Sequence, residues 1–295
     1  MLLILVMVFA VAIAIGICLA VTLLQKDNGG YKDLGEHKHS GLCNTYIELL
    51  DAIQQTKAKN LSKLYLNKDC VHDVVAGKYG SVNDMFDVAA IAKKHNITIK
   101  LVKEKPHGVQ TLERTHQIRD NFALLEEDLP LRLPQEENIQ FTPPPPKSKL
   151  MVLHLKVGAD CIQHYSKIHD MTYEAYDRHL RQLYTDAIDA YIDKDTIVYI
   201  CTPYRDDPLI KHVREASKTV LMKPKEYDRL PRELAAAVEM SLVRTHFTGN
   251  SEAILPINSE LKRGSSFATW LTHHCNFKAV HELDLDFITI GQKDQ

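Results

Sequence analysis

The chain predicts an α/β protein whose second half is a doubly wound parallel sheet, divided from its first half by a proline run and preceded by a transmembrane helix. Three observations predict it. After residue 148, short apolar runs alternate regularly with helix-period segments, the pattern of parallel strands joined by helical crossovers. Pro143 to Pro146 are four consecutive prolines, a stiff and extended spacer. Residues 1–24 carry no charged side chain and are long enough to cross a bilayer as a helix.

The leading span reads as an uncleaved signal anchor of a single-pass membrane protein. A cleaved signal peptide, with Leu19-Ala20 near its small-residue site, is the rival reading. Such a peptide has an apolar core of only about 7–15 residues and a positive leading region, which is missing here. No Lys or Arg precedes the span and Lys26 follows it, so the charge rule leaves orientation open. Two acceptor triplets, Asn60-Leu61-Ser62 and Asn96-Ile97-Thr98, agree with a lumenal body in the ER or Golgi. Outside the span stand Cys43, Cys70, Cys161, Cys201 and Cys275, none in a Cys-x-x-Cys pair. An odd number leaves a thiol free or bonded to another chain if the rest pair, and buried free thiols are an equal reading. A formal net charge of −2 gives no electrostatic case for nucleic acid as a partner.

Residues 25–39 are polar, contain Gly29-Gly30 and read as a stem. A first domain then spans 40–142. It opens with Gly41-Leu42-Cys43-Asn44, and Thr45 with Glu48 has the form of a capping box. Tyr46, Ile47, Leu49, Leu50 and Ile53 follow as an apolar helical face. A glycine-containing loop that enters a helix amino terminus offers free N–H groups to a phosphate, although an ordinary loop-to-helix turn has the same form. Strands are expected at 62–66 and 97–102, with a helix at 83–94 carrying Met85, Val88, Ala89 and Ala92 at helical spacing. Residues 111–127 read as helical, 129–140 as irregular, and 143–148 as the linker.

The second domain, 149–295, begins with the apolar run Leu150 to Leu155, which reads as a buried strand. Helix at 172–192, strand at 196–201, helix at 206–217, a short strand near Val220 and helix at 231–243 follow. Phe247 then precedes the turn Thr248-Gly249-Asn250. Polar residues at strand ends fall on the edge where open α/β sheets bind ligands. There stand His154, Lys156, Gly158 and Asp160: a donor, a charge for a diphosphate, a residue permitting close approach, and an acid. Thr202 ends the next strand, where it meets a ligand or simply caps. In Arg263-Gly264-Ser265-Ser266-Phe267, small hydroxyls before a helix can bind phosphate or serve as an N-cap alone. His37, His39, His273, His274 and Cys275 match no zinc-site spacing, and no Gly-x-Ser-x-Gly elbow or P-loop lysine motif occurs.

Taken together, these elements resemble the GDP-fucose-dependent fucosyltransferases of the protein O-fucosyltransferase type, from about residue 41 to 271. Gly41-Leu42-Cys43-Asn44 is similar to the family's opening Gly-x-x-Asn loop, and Phe86-Asp87 to a Phe-Asp pair in its first half. His154-Leu155-Lys156-Val157-Gly158-Ala159-Asp160 resembles a strand end of the form His-x-Arg-x-Gly-Asp. Here Lys156 replaces the Arg, and Ala159 separates the glycine from the acid. Thr202-Pro203 stands where the family has Thr-Asp. Phe247-Thr248-Gly249-Asn250 resembles Phe-x-Gly-Asn, and Ser265-Ser266-Phe267 matches the phosphate-binding element, with residues 251–264 read as an insertion between them.

The resemblance implies a GT-B fold, two Rossmann-like domains facing a cleft with the nucleotide mainly in the second. It implies an inverting transfer of fucose from GDP-fucose to a protein or glycan hydroxyl, with no metal or other cofactor required, in the Golgi. Lys156 and Asn44 take catalytic roles by this analogy. Gly41, Cys43, His154, Gly158, Thr202, Ser265, Ser266 and Phe267 bind the nucleotide sugar. Some members carry a Glu before the opening glycine; this chain has Ser40, with Glu36 and Asp160 as substitutes for an acceptor base. A lysine is a point charge without the guanidinium fork. Two alternatives therefore stand beside this reading: another nucleotide-sugar donor, or an inactive module that recognises glycans or polypeptides.

Overall fold

The computed structural model describes residues 28–34, 42–69, 71–73, 78–113, 123–131, 141–145, 147–230, 232–261 and 263–286. It is a mixed α/β structure with two parallel sheets, one on each side of the proline run in sequence. The expected anchor, residues 1–24, lies outside the described residues. Among the described residues no helix is long and apolar enough to cross a membrane.

The first sheet contains β1 (Gly29–Lys32), β2 (Lys63–Asn67), β5 (Thr98–Val102) and β6 (Gln110–Thr111), all parallel in the order β5-β2-β1-β6. This corrects the stem reading, because the Gly29-Gly30 pair belongs to an inner strand. A Cβ on Gly29 would lie 2.6 Å from the Tyr65 ring, and one on Gly30 would lie 2.7 Å from Leu112. The glycines make room for neighbours distant in sequence, where a local reading sees only a turn signal. A small antiparallel ladder, β3 (Val71–Asp73) with β4 (Lys78–Gly80), follows β2.

Helix α1 (Leu42–Ala58) crosses from β1 to β2. It starts at Leu42, so Thr45 and Glu48 lie inside it and are buried, and the expected capping box does not form. The apolar positions were expected to make one face. Instead the helix is covered on several sides, as an apolar helix in a core must be, because two helices of the second half pack on it. Of its buried polar groups, Gln55 is paired: Nε2 donates to Asp51 Oδ2 (2.9 Å) and to the Glu113 carbonyl (2.7 Å).

The helix expected at 83–94 is broken into α2 (Val82–Met85) and α3 (Val88–His95). At the break Phe86 turns into the core and bridges Leu131, while Asp87 caps α3 by accepting the Ala90 N–H at 2.9 Å. Thr111 lies in β6 and pairs with Tyr31 of β1, which corrects the helix expected to begin there. Residues 114–122 lie outside the described residues, and 123–126 form a single 3-10 turn.

The second sheet has β7 (Lys149–His154), β8 (Thr196–Cys201), β9 (Thr219–Leu221), β10 (Glu252–Leu255) and β13 (Val280–Glu282), parallel in the order β13-β10-β7-β8-β9. Its crossovers are α4 (Ala159–Ile168), α5 (Tyr173–Tyr191), α6 (Pro208–Ala216) and α7 (Arg232–His246). Thr172 and Asp207 cap α5 and α6 through their side chains, and Pro208 occupies the first turn of α6, where its missing N–H costs nothing. The segment 251–264, read as an insertion, in fact supplies β10 beside the central strand. It continues as a hairpin of β11 (Ile257–Asn258) and β12 (Arg263–Gly264) into α8 (Ser266–His274).

Alternation along the strands divides the core. Met151, Leu153, Val198 and Ile200 face a cluster built with α4, α5 and α6. Leu150, Val152, Ile197 and Tyr199 face the other side, where α7 and α8 meet α1 and the apolar core continues into the first sheet. The two halves therefore share one core across residues 143–148.

Candidate functional site

The parallel topology fixes where a crevice belongs. From β7 the chain runs to β8 on one side and later returns to β10 on the other, so the order reverses between β7 and β10. In open α/β sheets ligands bind at the carboxyl ends of the strands at such a point. His154 is the last residue of β7 and pairs with Cys201 of β8. Thr202 follows β8 directly, and the hairpin after β10 delivers Ser265, Ser266 and Phe267 to the same edge. The fold thus gathers His154, Thr202 and the Ser265–Phe267 segment, three pieces far apart in sequence.

His154 is buried and its ring packs on Phe267, with centroids 4.8 Å apart. Its Nδ1 is buried without a hydrogen-bond partner among the described residues. Buried polar atoms in native proteins are nearly always paired, so this atom, at the carboxyl edge of the sheet, is a candidate contact for a ligand group. Burial and the neighbouring Lys156 ammonium lower the His154 pKa to about 3. The ring is neutral at physiological pH, while the unfolded chain takes up a proton below the ordinary value of 6.5. Stability therefore falls as pH falls across the window from 6.5 to about 3. His154→Gln is expected to remove about 1 kcal/mol of the wild-type loss between about pH 7 and 5.5, read as the difference in urea midpoints.

Tyr184, a residue that sequence reasoning missed, sets this strand end. Its hydroxyl donates to the His154 carbonyl at 2.9 Å and accepts the Lys156 N–H at 3.0 Å. Burial raises its pKa, so it remains a phenol. The Lys156 ammonium lies 5.9 Å from the centre of the Tyr165 ring on α4, within cation–π reach.

Gly158 is the N-cap of α4 with an extended φ of −72°. A Cβ there would fall 2.4 Å from the Tyr204 hydroxyl and 2.6 Å from Asp160 Oδ1. The close approach it permits is by these two side chains, and Asp160 places its carboxylate in the first turn of α4.

Thr202 is buried. Its Oγ1 accepts the Tyr204 N–H at 3.2 Å, and its carbonyl accepts from Lys223 Nζ at 3.4 Å. Lys223 leads to a charged network absent from the sequence reading: Nζ lies 3.0 Å from Glu239 Oε1 and 3.3 Å from Asp228, and Arg205 pairs with Asp228. The one early signal was a lysine set among Leu221, Met222 and Pro224.

Ser265 is also committed within the fold. Its N–H donates to the Pro256 carbonyl at 2.8 Å, and its Oγ caps α8 by accepting from Ala268 N at 3.5 Å. Gly264 precedes it at φ +119°, where a Cβ would stand 2.5 Å from the Pro256 oxygen, so only glycine fits this turn. Ser266 and Phe267 open the helix half-buried.

In the first half, Asn44 is half-buried in the first turn of α1, and no described hydrogen bond joins it to the second sheet. Cys43, expected to bind the nucleotide sugar, has its side chain in the core, and burial raises its thiol pKa. Gly41, Ser40, Glu36, His37 and His39 lie outside the described residues. His274 and Cys275 serve packing: His274 Nε2 donates to the Leu125 carbonyl at 2.7 Å, and Cys275 is buried as a free thiol. Cys43, Cys161 and Cys201 are likewise buried and free.

No protein family and no curated protein matches the chain. Two solved structures are similar, both of fucosyltransferase NodZ from Bradyrhizobium, one in selenomethionine form. Each is 12% identical and covers 84% of this chain; they cover 93% and 92% of their own chains, with TM-scores of 0.40 and 0.37.

Proposed function

We propose that this chain is a fucosyltransferase-like glycosyltransferase of GT-B type that takes GDP-fucose and transfers fucose, with inversion, to a hydroxyl of a protein or glycan. The observation that carries the reading is the orphaned, buried His154 Nδ1 at the carboxyl edge where the strand order reverses between β7 and β10. It lies where the His-x-Lys-x-Gly and Ser-Ser-Phe segments meet, which are the two segments whose likeness to the family is fullest.

In this proposal His154, neutral, holds a ribose or phosphate oxygen through Nδ1. Lys156 neutralises the negative charge that grows on the departing diphosphate as its bond to the sugar breaks, the chief demand of such a transfer. The first-turn N–H groups of α8 at Ser266 and Phe267 assist, and Asn44 completes the site from the first half. No metal takes part. The body is lumenal, in the Golgi or ER, and tethered by residues 1–24.

A second reading has its own support. The Ser265 and Thr202 hydroxyls are already used within the fold, and the Asp160 carboxylate occupies the α4 amino terminus; these fit a module that keeps the fold and recognises glycans or polypeptides without catalysis. Isothermal titration of the fragment from Lys26, which keeps β1 whole, separates the two. Preferential binding of GDP and GDP-fucose over UDP and UDP-sugars is the expected result. Preference for UDP replaces the donor, and a folded fragment that binds no nucleotide overturns the transferase reading.

A further inference from the structure

We propose that Asn60 and Asn96 both carry N-linked glycans, displayed together from one edge of the first sheet. The two acceptor triplets are far apart in sequence, yet the fold puts them in the same local setting. Each asparagine ends a helix in the left-handed conformation, with φ 50° at Asn60 after α1 and 52° at Asn96 after α3, and each leads directly into a parallel strand. Those strands, β2 and β5, are neighbours, with Lys63 paired to Thr98. Both side chains therefore leave the same amino-terminal edge.

An asparagine at a left-handed helix end is common for conformational reasons alone. That accounts for the residue but not for a hydroxyl two positions later in both cases. The surroundings meet what modification needs. Asn60 and Asn96 are exposed, and neither side-chain amide is hydrogen-bonded among the described residues; the bonds at these residues involve backbone atoms, such as Asn28 Nδ2 to the Asn60 carbonyl. Thr98 is exposed as well. Helix α1 has 17 residues, so Asn60 stands roughly 25 Å from the end that carries Asn44, and a glycan there leaves the candidate site open. Beside Asn96 runs β5, the outermost strand of the sheet. An exposed strand edge is a template for unwanted pairing, and a glycan at this position covers its start.

The step is a group transfer from a lipid-diphosphate-linked oligosaccharide, performed by the cell's own transferase. The amide nitrogen forms a bond to the anomeric carbon and loses a proton, while the bond from that carbon to the diphosphate oxygen breaks and the lipid diphosphate leaves. The inference rests on a lumenal body and not on the donor or on catalysis, so failure to bind GDP would leave it standing.

The test is expression of the full chain from Met1 in cultured animal cells, with peptide N-glycosidase digestion and glycopeptide mass spectrometry. Two steps of mobility are expected to collapse to one band. Asn60→Gly and Asn96→Gly each remove one step, since glycine keeps the left-handed turn without strain, and Thr98→Ala removes the Asn96 step without altering the helix end. A chain whose mobility glycosidase does not change, or a shift that survives in the double glycine variant, overturns the proposal. A single step overturns it for the asparagine whose variant changes nothing.

Discussion

Lys223→Met is expected to cost about 3–5 kcal/mol of stability, the usual penalty for removing one partner of a buried ion pair. The Lys223 side chain is only 2% exposed and that of Glu239 9%, so without the ammonium the buried carboxylate keeps only the weaker pull of Arg205 as a counter-charge. Burial already raises the Glu239 pKa against the pull of Lys223, and in the variant that pull is gone. The folded protein then holds a proton that the unfolded chain releases above its ordinary value of 4.5. The stability loss therefore grows as pH rises through and above that value and is smallest in acid. Lys223→Met with Glu239→Gln is expected to recover most of the loss, because the amide oxygen still accepts from the Thr202 backbone and no charge remains buried. Urea unfolding at about pH 5 and 8 reads all three proteins. A single variant within about 1 kcal/mol of wild type would show that water reaches the pair, since exposed pairs contribute no more than this.

The network also shows where reading the sequence stops. Strands β7 and β8 were legible because strands buried on both faces must be continuously apolar, and α5 and α6 because helix-period segments alternate with those runs. β10 and β13 were not: they have only four and three residues, and their pairing is decided by the sheet. Gly29-Gly30 misled for a related reason, since Tyr65 and Leu112, which need the space, are brought there only by the fold. At the candidate site, strand ends could be placed on one edge from the pattern alone. What each hydroxyl does there could not, because a cap, a turn and a ligand contact ask for the same residue types. Tyr184 carries no local signal at all; its hydroxyl matters only because α5 lays it against the end of β7.

Lys156→Ala is expected to weaken GDP binding by more than about tenfold, at least 1.4 kcal/mol, with little change in unfolding midpoint. The side chain is half-buried and lies over Tyr165, so its removal opens no core cavity, whereas a diphosphate loses a full charge. At about 4 Å and an effective dielectric near 20 that attraction is about 4 kcal/mol before desolvation is subtracted, so a tenfold loss is a conservative floor. Lys156→Arg is the informative companion. A guanidinium can grip two phosphate oxygens at once where an ammonium supplies one point charge, so this variant is expected to bind GDP at least as well as wild type. If it also raises transfer from GDP-fucose, the lysine limits catalysis while the rest of the machinery is intact. If binding improves and transfer stays absent with every acceptor tried, the committed Ser265 and Thr202 hydroxyls become the better account, and the chain is a nucleotide-binding module. Affinity unchanged in a folded Lys156→Ala would remove this residue from the diphosphate site and leave His154 as the anchor of the proposed site.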